Sequence, residues 1–443
     1  MAKLNKPDKP KTHEGGKARR QTPEQQLRRS VLNCMLWEDT FYENGEDIAA
    51  RIAGLVERVK PEAVSAIAIE ARTKMKLRHA PLLLVRAMAK LPDHRGLVAD
   101  TLYEIIQRPD ELTEFLAIYW KDALGLQQQR KKQPVSAQIK KGLARALTKF
   151  DAYQLAKYDR DGPVRLRDVL FLTHAKPKDA AQEAVWKELV DGKLKPADTW
   201  EVNLSGGADK RETFERLIAA KQLGALALLR NLRLMQTAGV PKDVIASALD
   251  EMRTDRVLPY RFIAAARYAP DLEPELENAM FRSLEGHAAL NGKTRLLIDV
   301  SGSMSAPMSA KSEMSRLDAA CGLAVLAREI AKEVEIFTFS HDVVKVPLRR
   351  GFALRDAIVG SQPHGGTFLG KAVSQVDKPG VRTIVFTDEQ AHDDVGAPKG
   401  RGVIVNVASY GHGVGSDGWL RVNGFSEAVL DWLIAVEAES AAY

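Results

Sequence analysis

The sequence predicts a multidomain protein in which an α-solenoid of stacked helix pairs precedes an α/β domain with a doubly wound parallel sheet. From about residue 22 to 286, apolar residues recur at spacings of three and four, as in amphipathic helices of about 10–17 residues. After Asn291 and Gly292, β-rich runs alternate with helical ones, which favours parallel strands joined by right-handed crossovers. The predicted domains are residues 1–21, 22–290 and 291–443.

The first segment, residues 1–21, is predicted to be a disordered basic arm. Its first 20 residues contain seven Lys or Arg, two acids and several Pro and Gly, with little apolar surface to bury. Such an arm could add electrostatic affinity for nucleic acid, or it could be only a solvated tail. The composition leaves both interpretations open.

The second segment, residues 22–290, has the pattern of successive short helices. Several helical runs carry Pro in their first turn, as at Pro61, Pro81 and Pro241. Short loops containing Pro, Gly or Asp separate the runs, which predicts antiparallel helix pairs stacked as a solenoid. No exact sequence period is present, so the predicted repeat is structural.

The positive charge of the chain belongs to its N-terminal part. The whole sequence has 65 basic and 58 acidic residues, a net charge of +7. Residues 1–290 carry 49 basic against 40 acidic side chains, whereas residues 291–443 carry 16 against 18. This distribution suggests a polyanionic partner for the helical part, with general solubility as the alternative.

The two cysteines and the hydropathy predict a cytoplasmic protein. Cys34 and Cys321 are too far apart in sequence for a C-x-x-C pair, and free thiols in apolar helical contexts fit a reducing compartment. No apolar run reaches the ~18 residues of a membrane span, so we expect no membrane association.

A candidate metal motif lies at the end of the first predicted strand of the α/β domain. The run RLLIDVSGSMS places Asp299, Ser301 and Ser303 on a loop at the strand's carboxyl end, where open α/β sheets bind ligands. A carboxylate and two hydroxyls are hard oxygen donors that suit Mg²⁺ or Mn²⁺. The alternative is a simple turn in which Asp and Ser bond to their own backbone.

Two later segments add further oxygen donors. HGGTFLG carries Thr367 on a glycine-rich turn, and VRTIVFTDEQ is a strand ending at Asp388. Together the three segments resemble the metal-ion-dependent adhesion site of von Willebrand factor A domains. The resemblance implies that Asp299, Ser301, Ser303, Thr367 and Asp388 are direct or water-mediated ligands of one divalent cation.

No catalytic motif in the sequence is complete, so we predict that the protein is not an enzyme. GHAALNGKT has five residues between Gly286 and Gly292, where a Walker loop needs four, and it precedes a strand. The run VSGSMS could suggest a serine nucleophile, but no histidine lies nearby to act as its base. His341 and His392 are interpreted as surface or hydrogen-bonded residues rather than as metal ligands.

Four separated segments of the helical part carry a second resemblance. KYDRDGPVRLRDVLFLTHAKP, WEVNLSGG, LGALALLRNLRLM and LPYRFIAAARY resemble the TROVE module of the Ro autoantigen family and its bacterial members. The resemblance covers essentially residues 22–443. It implies a monomeric ring of HEAT-like helical repeats closed by a C-terminal von Willebrand A domain.

The family resemblance also implies a function. It predicts a non-catalytic protein that binds small noncoding Y-like RNA on its outer surface and single-stranded 3′ ends of misfolded RNA in its central hole. It further implies a role in RNA quality control, with polynucleotide phosphorylase or another exoribonuclease as partner. The alternative is a metal-dependent protein-interaction module for an AAA-type ATPase or a chelatase-like partner.

Two groups of residues are candidates for RNA contact. By resemblance, Lys157, Arg160 and His174 match RNA-contacting positions of the family, with Lys176 beside them. For each of these basic residues, a solvated helix face is the alternative interpretation.

A second group comes from residue spacing alone. The run RTKMKLRH is predicted to place Arg72, Lys76 and His79 on one face of a helix, where they would add to the basic outer surface.

Overall fold

A computed structural model describes most of the chain, and Cys34 lies outside the described part. The described residues are 11–18, 22–32, 45–120, 134–255, 257–258, 260–285, 288–308, 312, 314–408, 410, 412–415, 417–424, 429–430 and 433–434. Among them, no helix has the length and apolar character needed to cross a membrane.

The described part of residues 22–285 is helical, as predicted, and contains sixteen α-helices. They are α1 (Pro23–Leu32), α2 (Gly45–Val56), α3 (Pro61–Thr73), α4 (His79–Lys90), α5 (Arg95–Ile105), α6 (Pro109–Trp120), α7 (Ala137–Leu147), α8 (Ala152–Tyr158), α9 (Leu166–Thr173), α10 (Ala180–Asp191), α11 (Trp200–Ser205), α12 (Lys210–Ala219), α13 (Ala225–Thr237), α14 (Lys242–Glu251), α15 (Tyr260–Tyr268) and α16 (Glu273–Arg282).

Local signals in the sequence set many of the helix ends. Pro61 is the first residue of α3, where its missing N–H costs no hydrogen bond. The Ser136 side chain accepts a hydrogen bond from the Ile139 amide and begins α7. Gly192 ends α10 in the left-handed conformation, with φ of 69°.

Neighbouring helices pack in pairs, and one glycine permits a close crossing. Helix α3 packs on α4 and α5, and α5 packs on α7. At Gly142 of α7, an added Cβ atom would lie 2.9 Å from the Ala99 carbonyl oxygen and 2.9 Å from Leu102 Cβ. The α5–α7 crossing therefore requires a residue without a side chain at position 142.

The C-terminal part forms a mixed six-stranded α/β sheet in the order β3-β2-β1-β4-β5-β6. Strand β3 is antiparallel to β2 and the other pairs are parallel. The elements are β1 (Leu290–Asp299), α17 (Arg316–Ile330), β2 (Ala331–Phe339), β3 (Val343–Val346), α18 (Gly351–Val359), α19 (Leu369–Val376), β4 (Arg382–Thr387), β5 (Arg401–Asn406) and β6 (Leu420–Asn423).

Strand β1 lies in the middle of this sheet and is covered on both faces. Leu296 and Ile298 belong to a large core that continues into the helical part, whereas Leu297 belongs to a separate core on the opposite face. All three side chains are fully buried. The apolar run of β1 is therefore explained by burial on two sides.

Both ends of the helical array contact the sheet domain. Arg29 of α1 forms a buried ion pair with Glu389, and its Nε donates to the Tyr410 carbonyl oxygen at 2.6 Å. At the other end, the Glu277 carboxylate of α16 accepts a hydrogen bond from the Phe352 amide at 2.7 Å. The first and last helices are thus attached to the same domain.

Residues 11–18 differ from the predicted disordered arm, because they fold back onto the sheet domain. The buried Thr12 hydroxyl donates to the Ala391 carbonyl oxygen at 2.7 Å. The His13 amide donates to Gln390 Oε1 at 2.7 Å. Composition could not predict this contact, which uses backbone groups, one hydroxyl and polar side chains rather than apolar area.

We expect Gly142→Ala and Gly54→Ala to change stability in opposite directions. Gly142→Ala would force α5 and α7 apart and lower the free energy of unfolding by about 1–3 kcal/mol. Gly54 is exposed within α2, with nothing within 4 Å of an added Cβ, so alanine there should raise stability by about 0.5–1 kcal/mol. Urea unfolding followed by helical circular dichroism measures both, and shifts of the same sign would contradict the proposed crossing.

Candidate functional site

The candidate metal site is built at the carboxyl ends of two adjacent parallel strands. Strands β1 and β4 are parallel with Ile298 opposite Phe386, so β1 ends at Asp299 level with Thr387, and Asp388 follows directly after it. Both carboxylates are fully buried. The Thr387 hydroxyl donates to Asp299 Oδ2 at 2.6 Å and fixes the orientation of that carboxylate.

The loop after β1 folds its two serines back over these carboxylates. The Ser301 amide donates to Asp299 Oδ1 at 2.9 Å, which is the local turn that the alternative interpretation required. The Ser303 hydroxyl donates to Asp388 Oδ2 at 2.8 Å, and the two serine oxygens lie 3.3 Å apart. The turn and the cluster of oxygen donors therefore coexist.

Thr367 reaches the same edge of the sheet through the glycine-rich turn. The Gly302 amide donates to the Gly365 carbonyl oxygen at 2.9 Å, which joins that turn to the serine loop. Thr367 is 3% exposed, and its carbonyl oxygen accepts a hydrogen bond from the His392 amide at 2.9 Å. Helix α19 begins only at Leu369, so Thr367 lies in the turn that precedes it.

The electrostatics of the edge favour an added positive charge. Burial, and next the negative charge of Asp388, raise the pKa of Asp299 to about 7, although hydrogen bonds from Ser301 and Thr387 act in the opposite direction. The buried guanidinium of Arg316 lies 3.5 Å from Asp388 Oδ2. Two buried carboxylates thus lie close enough to interact. The guanidinium of Arg316 is at the long limit of an ion pair with one of them, Asp388.

Sequence reasoning missed Arg316, which lies at the first position of α17. Its Nη1 also lies 3.3 Å from the Ser303 carbonyl oxygen. The available signal was an arginine beginning a helix that is otherwise almost wholly apolar and buried.

The donor set fits a hard divalent cation, provided that hydroxyls take part. Among the residues that the structure describes, no group of three or more His, Cys, Asp and Glu side chains could hold a metal. A cation at this edge would therefore depend on Ser301, Ser303 and Thr367 beside the two carboxylates. Such oxygen ligands suit Mg²⁺ or Mn²⁺ rather than Zn²⁺.

The RNA-contact residues that were assigned by resemblance lie at the surface around α8 and α9. Lys157 is half-buried in the last turn of α8, and Arg160 is exposed in the loop that follows. His174 ends α9 in the left-handed conformation with φ of 52°, and it is exposed together with Lys176. All four side chains are thus accessible from solvent to different degrees.

Two cations lie close to the Tyr158 ring, and one of them is Lys157. The Arg108 guanidinium lies 4.6 Å from the ring centroid, and Lys157 Nζ lies 5.8 Å from it. Burial raises the pKa of Tyr158, while the positive charges of Arg108 and Arg160 lower it. The sequence did not indicate Arg108, because about fifty residues separate it from Tyr158.

The predicted face made of Arg72, Lys76 and His79 is wrong, because α3 ends at Thr73. Arg72 is 9% exposed and its guanidinium pairs with the fully buried Glu111 at 2.6 Å. Lys76 lies beyond the helix with φ of 57°, and His79 begins the next helix. Arg72 therefore does not lie on an exposed basic face with Lys76 and His79.

Lys76 and His79 are each engaged locally. Lys76 Nζ donates to the Thr73 carbonyl oxygen at 2.6 Å, which neutralises the end of α3. His79 Nε2 lies 3.6 Å from the Glu114 carboxylate.

Comparison with known proteins gives a family and a fold. The TROVE domain family model matches residues 30–192 and 189–320. The crystal structure of the Ro (RSR) protein from Deinococcus radiodurans is similar, with a TM-score of 0.60 and 18% sequence identity. The match covers 94% of this chain and 100% of that chain. No curated protein matches the sequence significantly. On the extent of the family match, the chain belongs to the TROVE domain family.

Proposed function

We propose that this protein is a non-catalytic RNA-binding protein of the Ro type. The observation that carries the proposal is the exposed basic surface around Tyr158 within a TROVE domain. There, Lys157 and Arg160 lie near the Tyr158 ring, and Lys176 is exposed just after α9. Cations beside an aromatic ring suit phosphates and unstacked bases. Family membership favours this function over a protein-interaction module for an AAA-type ATPase.

We further propose a ring architecture in which a von Willebrand A-type sheet domain joins the two ends of the helical array. The contacts of Arg29 with Glu389 and of Glu277 with Phe352 support this arrangement. A ring with a central hole would admit single-stranded RNA and exclude duplex. The proposed ligands are Y-like noncoding RNA and the 3′ ends of misfolded RNA, handled in quality control together with polynucleotide phosphorylase or another exoribonuclease.

A divalent cation, Mg²⁺ or Mn²⁺, is proposed at the edge formed by Asp299 and Asp388. When bound, it would supply positive charge between two buried carboxylates that otherwise repel one another. The protein's own contribution is to fix Ser301 and Ser303 beside those carboxylates, and to hold Thr367 in the neighbouring turn, through the hydrogen bonds described above. We assign no catalytic step to this site.

Reversing the charge of Lys157, Arg160 and Lys176 to Glu should weaken RNA binding by at least about tenfold. If each of these side chains binds one phosphate, the slope of log affinity against log salt should also become shallower by about 0.9 for each residue replaced. The measurement is fluorescence anisotropy with a stem-loop RNA bearing a single-stranded 3′ tail, between about 50 and 200 mM salt.

The matched control carries the same charge change on the sheet domain. Lys332, Arg349 and Lys378 are exposed there, and their reversal to Glu should leave RNA affinity within about twofold at the higher salt, where screening is strong. Equal losses of affinity in the two triple variants would show that net charge, rather than this surface, determines binding.

Replacing Ser303 by Ala should reduce Mn²⁺ affinity, whereas replacing Ser305 should not. Ser303 and Ser305 both lie in the short 3₁₀ turn Gly302–Ser305. Ser303 Oγ donates a hydrogen bond to Asp388, while Ser305 is exposed at the end of the turn. Because outer ligands of metal sites already contribute tenfold to a hundredfold, loss of a direct ligand should cost at least about tenfold. Electron paramagnetic resonance of free Mn²⁺ measures the difference, and Thr367→Val tests the third hydroxyl. The same affinity in all variants would rule out this ligand set.

A further inference from the structure

Residues 11–18, here called the N-terminal hairpin, form a tight turn on the sheet domain. The Thr12 amide donates to the Gly16 carbonyl oxygen at 2.9 Å, and Lys11 pairs with Lys17 in an antiparallel bridge. Gly15 has φ of 93°, which a residue with a side chain rarely adopts. The hairpin therefore presents Glu14 at its tip.

The hairpin and the sheet domain approach each other backbone to backbone. A Cβ atom on Gly16 would lie 2.5 Å from the Ala391 carbonyl oxygen. On the opposite side of the contact, a Cβ atom on Gly415 would lie 2.6 Å from the Lys17 carbonyl oxygen. Each surface thus requires a glycine, which makes the contact sensitive to a single methyl group from either side.

Polar contacts fix the register of the hairpin. Lys17 Nζ pairs with Asp394 at 2.9 Å, and Ala18 bridges to Val414 in antiparallel pairing. The hairpin is therefore held as an added extended segment along the rim of the sheet domain.

The same rim residues also hold the candidate cation ligands. Glu14 lies 3.2 Å from His392 Nε2, and the His392 ring lies 3.1 Å, through Nδ1, from the Thr367 amide. The Gln390 side chain accepts a hydrogen bond from the hairpin, while the Gln390 backbone amide donates to Asp388 Oδ1 at 3.2 Å. One imidazole therefore separates the hairpin's carboxylate from a candidate ligand.

We propose that this rim is a docking surface for an extended segment that presents a carboxylate next to glycine, and that the N-terminal hairpin is its intramolecular occupant. The hairpin acts as a strap: a second copy of the same segment, supplied in trans, binds the rim only when the strap is displaced. A tethered segment competes at an effective concentration in the millimolar range, which keeps the surface closed to weak ligands.

The test uses the full chain and a fluorescein-labelled peptide with the sequence of residues 9–20. Gly16→Ala disrupts the hairpin in cis and leaves the rim intact, so the peptide should bind this variant at least about tenfold more tightly than the wild type. Gly415→Ala alters the rim itself, so the peptide should bind neither this variant nor the double variant. Gly54→Ala is the matched control and should behave as the wild type.

Tryptic cleavage after Lys17, followed by intact mass, gives a second readout that needs no ligand. It should be about tenfold faster in Gly16→Ala and Gly415→Ala than in the wild type or Gly54→Ala, because cleavage tracks the open population of the hairpin. Equal cleavage in all four chains, or equal peptide binding to the Gly16→Ala and Gly415→Ala chains, would overturn the proposal.

A peptide in which Glu14 is replaced by Gln isolates the role of the carboxylate, and it should bind the Gly16→Ala chain several-fold more weakly. Equal affinity would remove the acidic residue from the proposal. RNA affinity should be unchanged in these glycine variants, since the rim lies outside the surface around Tyr158. The RNA-binding proposal can therefore fail without affecting this one, and this one without affecting it.

Discussion

The parallel register of β1 and β4 is the constraint on which the candidate cation site depends. Because the two strands end at the same level, Asp299 and Asp388 are brought together out of contact with water. Burying one ionised carboxylate is costly and burying two is more so, which is why the pKa of Asp299 is raised. The donated hydrogen bonds from Thr387 and Ser303 and the guanidinium of Arg316 reduce that cost.

The residue that follows Asp388 carries the junction with the helical array. Glu389 is fully buried and adopts φ of 59°, a sparsely populated conformation for a residue with a side chain. Its carboxylate pairs with Arg29 of α1 and lies 3.4 Å from Arg421 Nε. Loss of either partner of this buried ion pair would leave an uncompensated buried charge and would be strongly destabilising. The first helix and the candidate cation edge are therefore joined through consecutive residues, Asp388 and Glu389.

Local pattern predicted the elements whose burial is local, and it failed where a distant partner decides. Apolar runs identified β1 and β4, and the loops at their ends followed from them. The short edge strands β3 and β6 offer only four residues each, too few for a pattern. Arg72 looked like a surface cation because nothing near it in sequence reveals Glu111. The N-terminal hairpin was not predicted for a related reason, since the Thr12 hydroxyl and Gly16 make their contacts with the distant Ala391.

The same distinction limits what net charge says about RNA. The helical part has an excess of basic residues, but many are committed to carboxylates: Arg72 to Glu111, and Arg216 to Asp198 at 2.8 Å. The hydrogen bond from Arg216 lowers the pKa of Asp198 to about 2. A paired guanidinium must give up its partner before it can bind a phosphate, so it contributes little to affinity. Arg160 and Lys176, by contrast, are exposed to solvent and form no ion pair with a carboxylate among the residues that the structure describes. The surface that recognises a polyanion is therefore defined by the cations left uncommitted after folding, and the count of basic residues in the sequence overstates it.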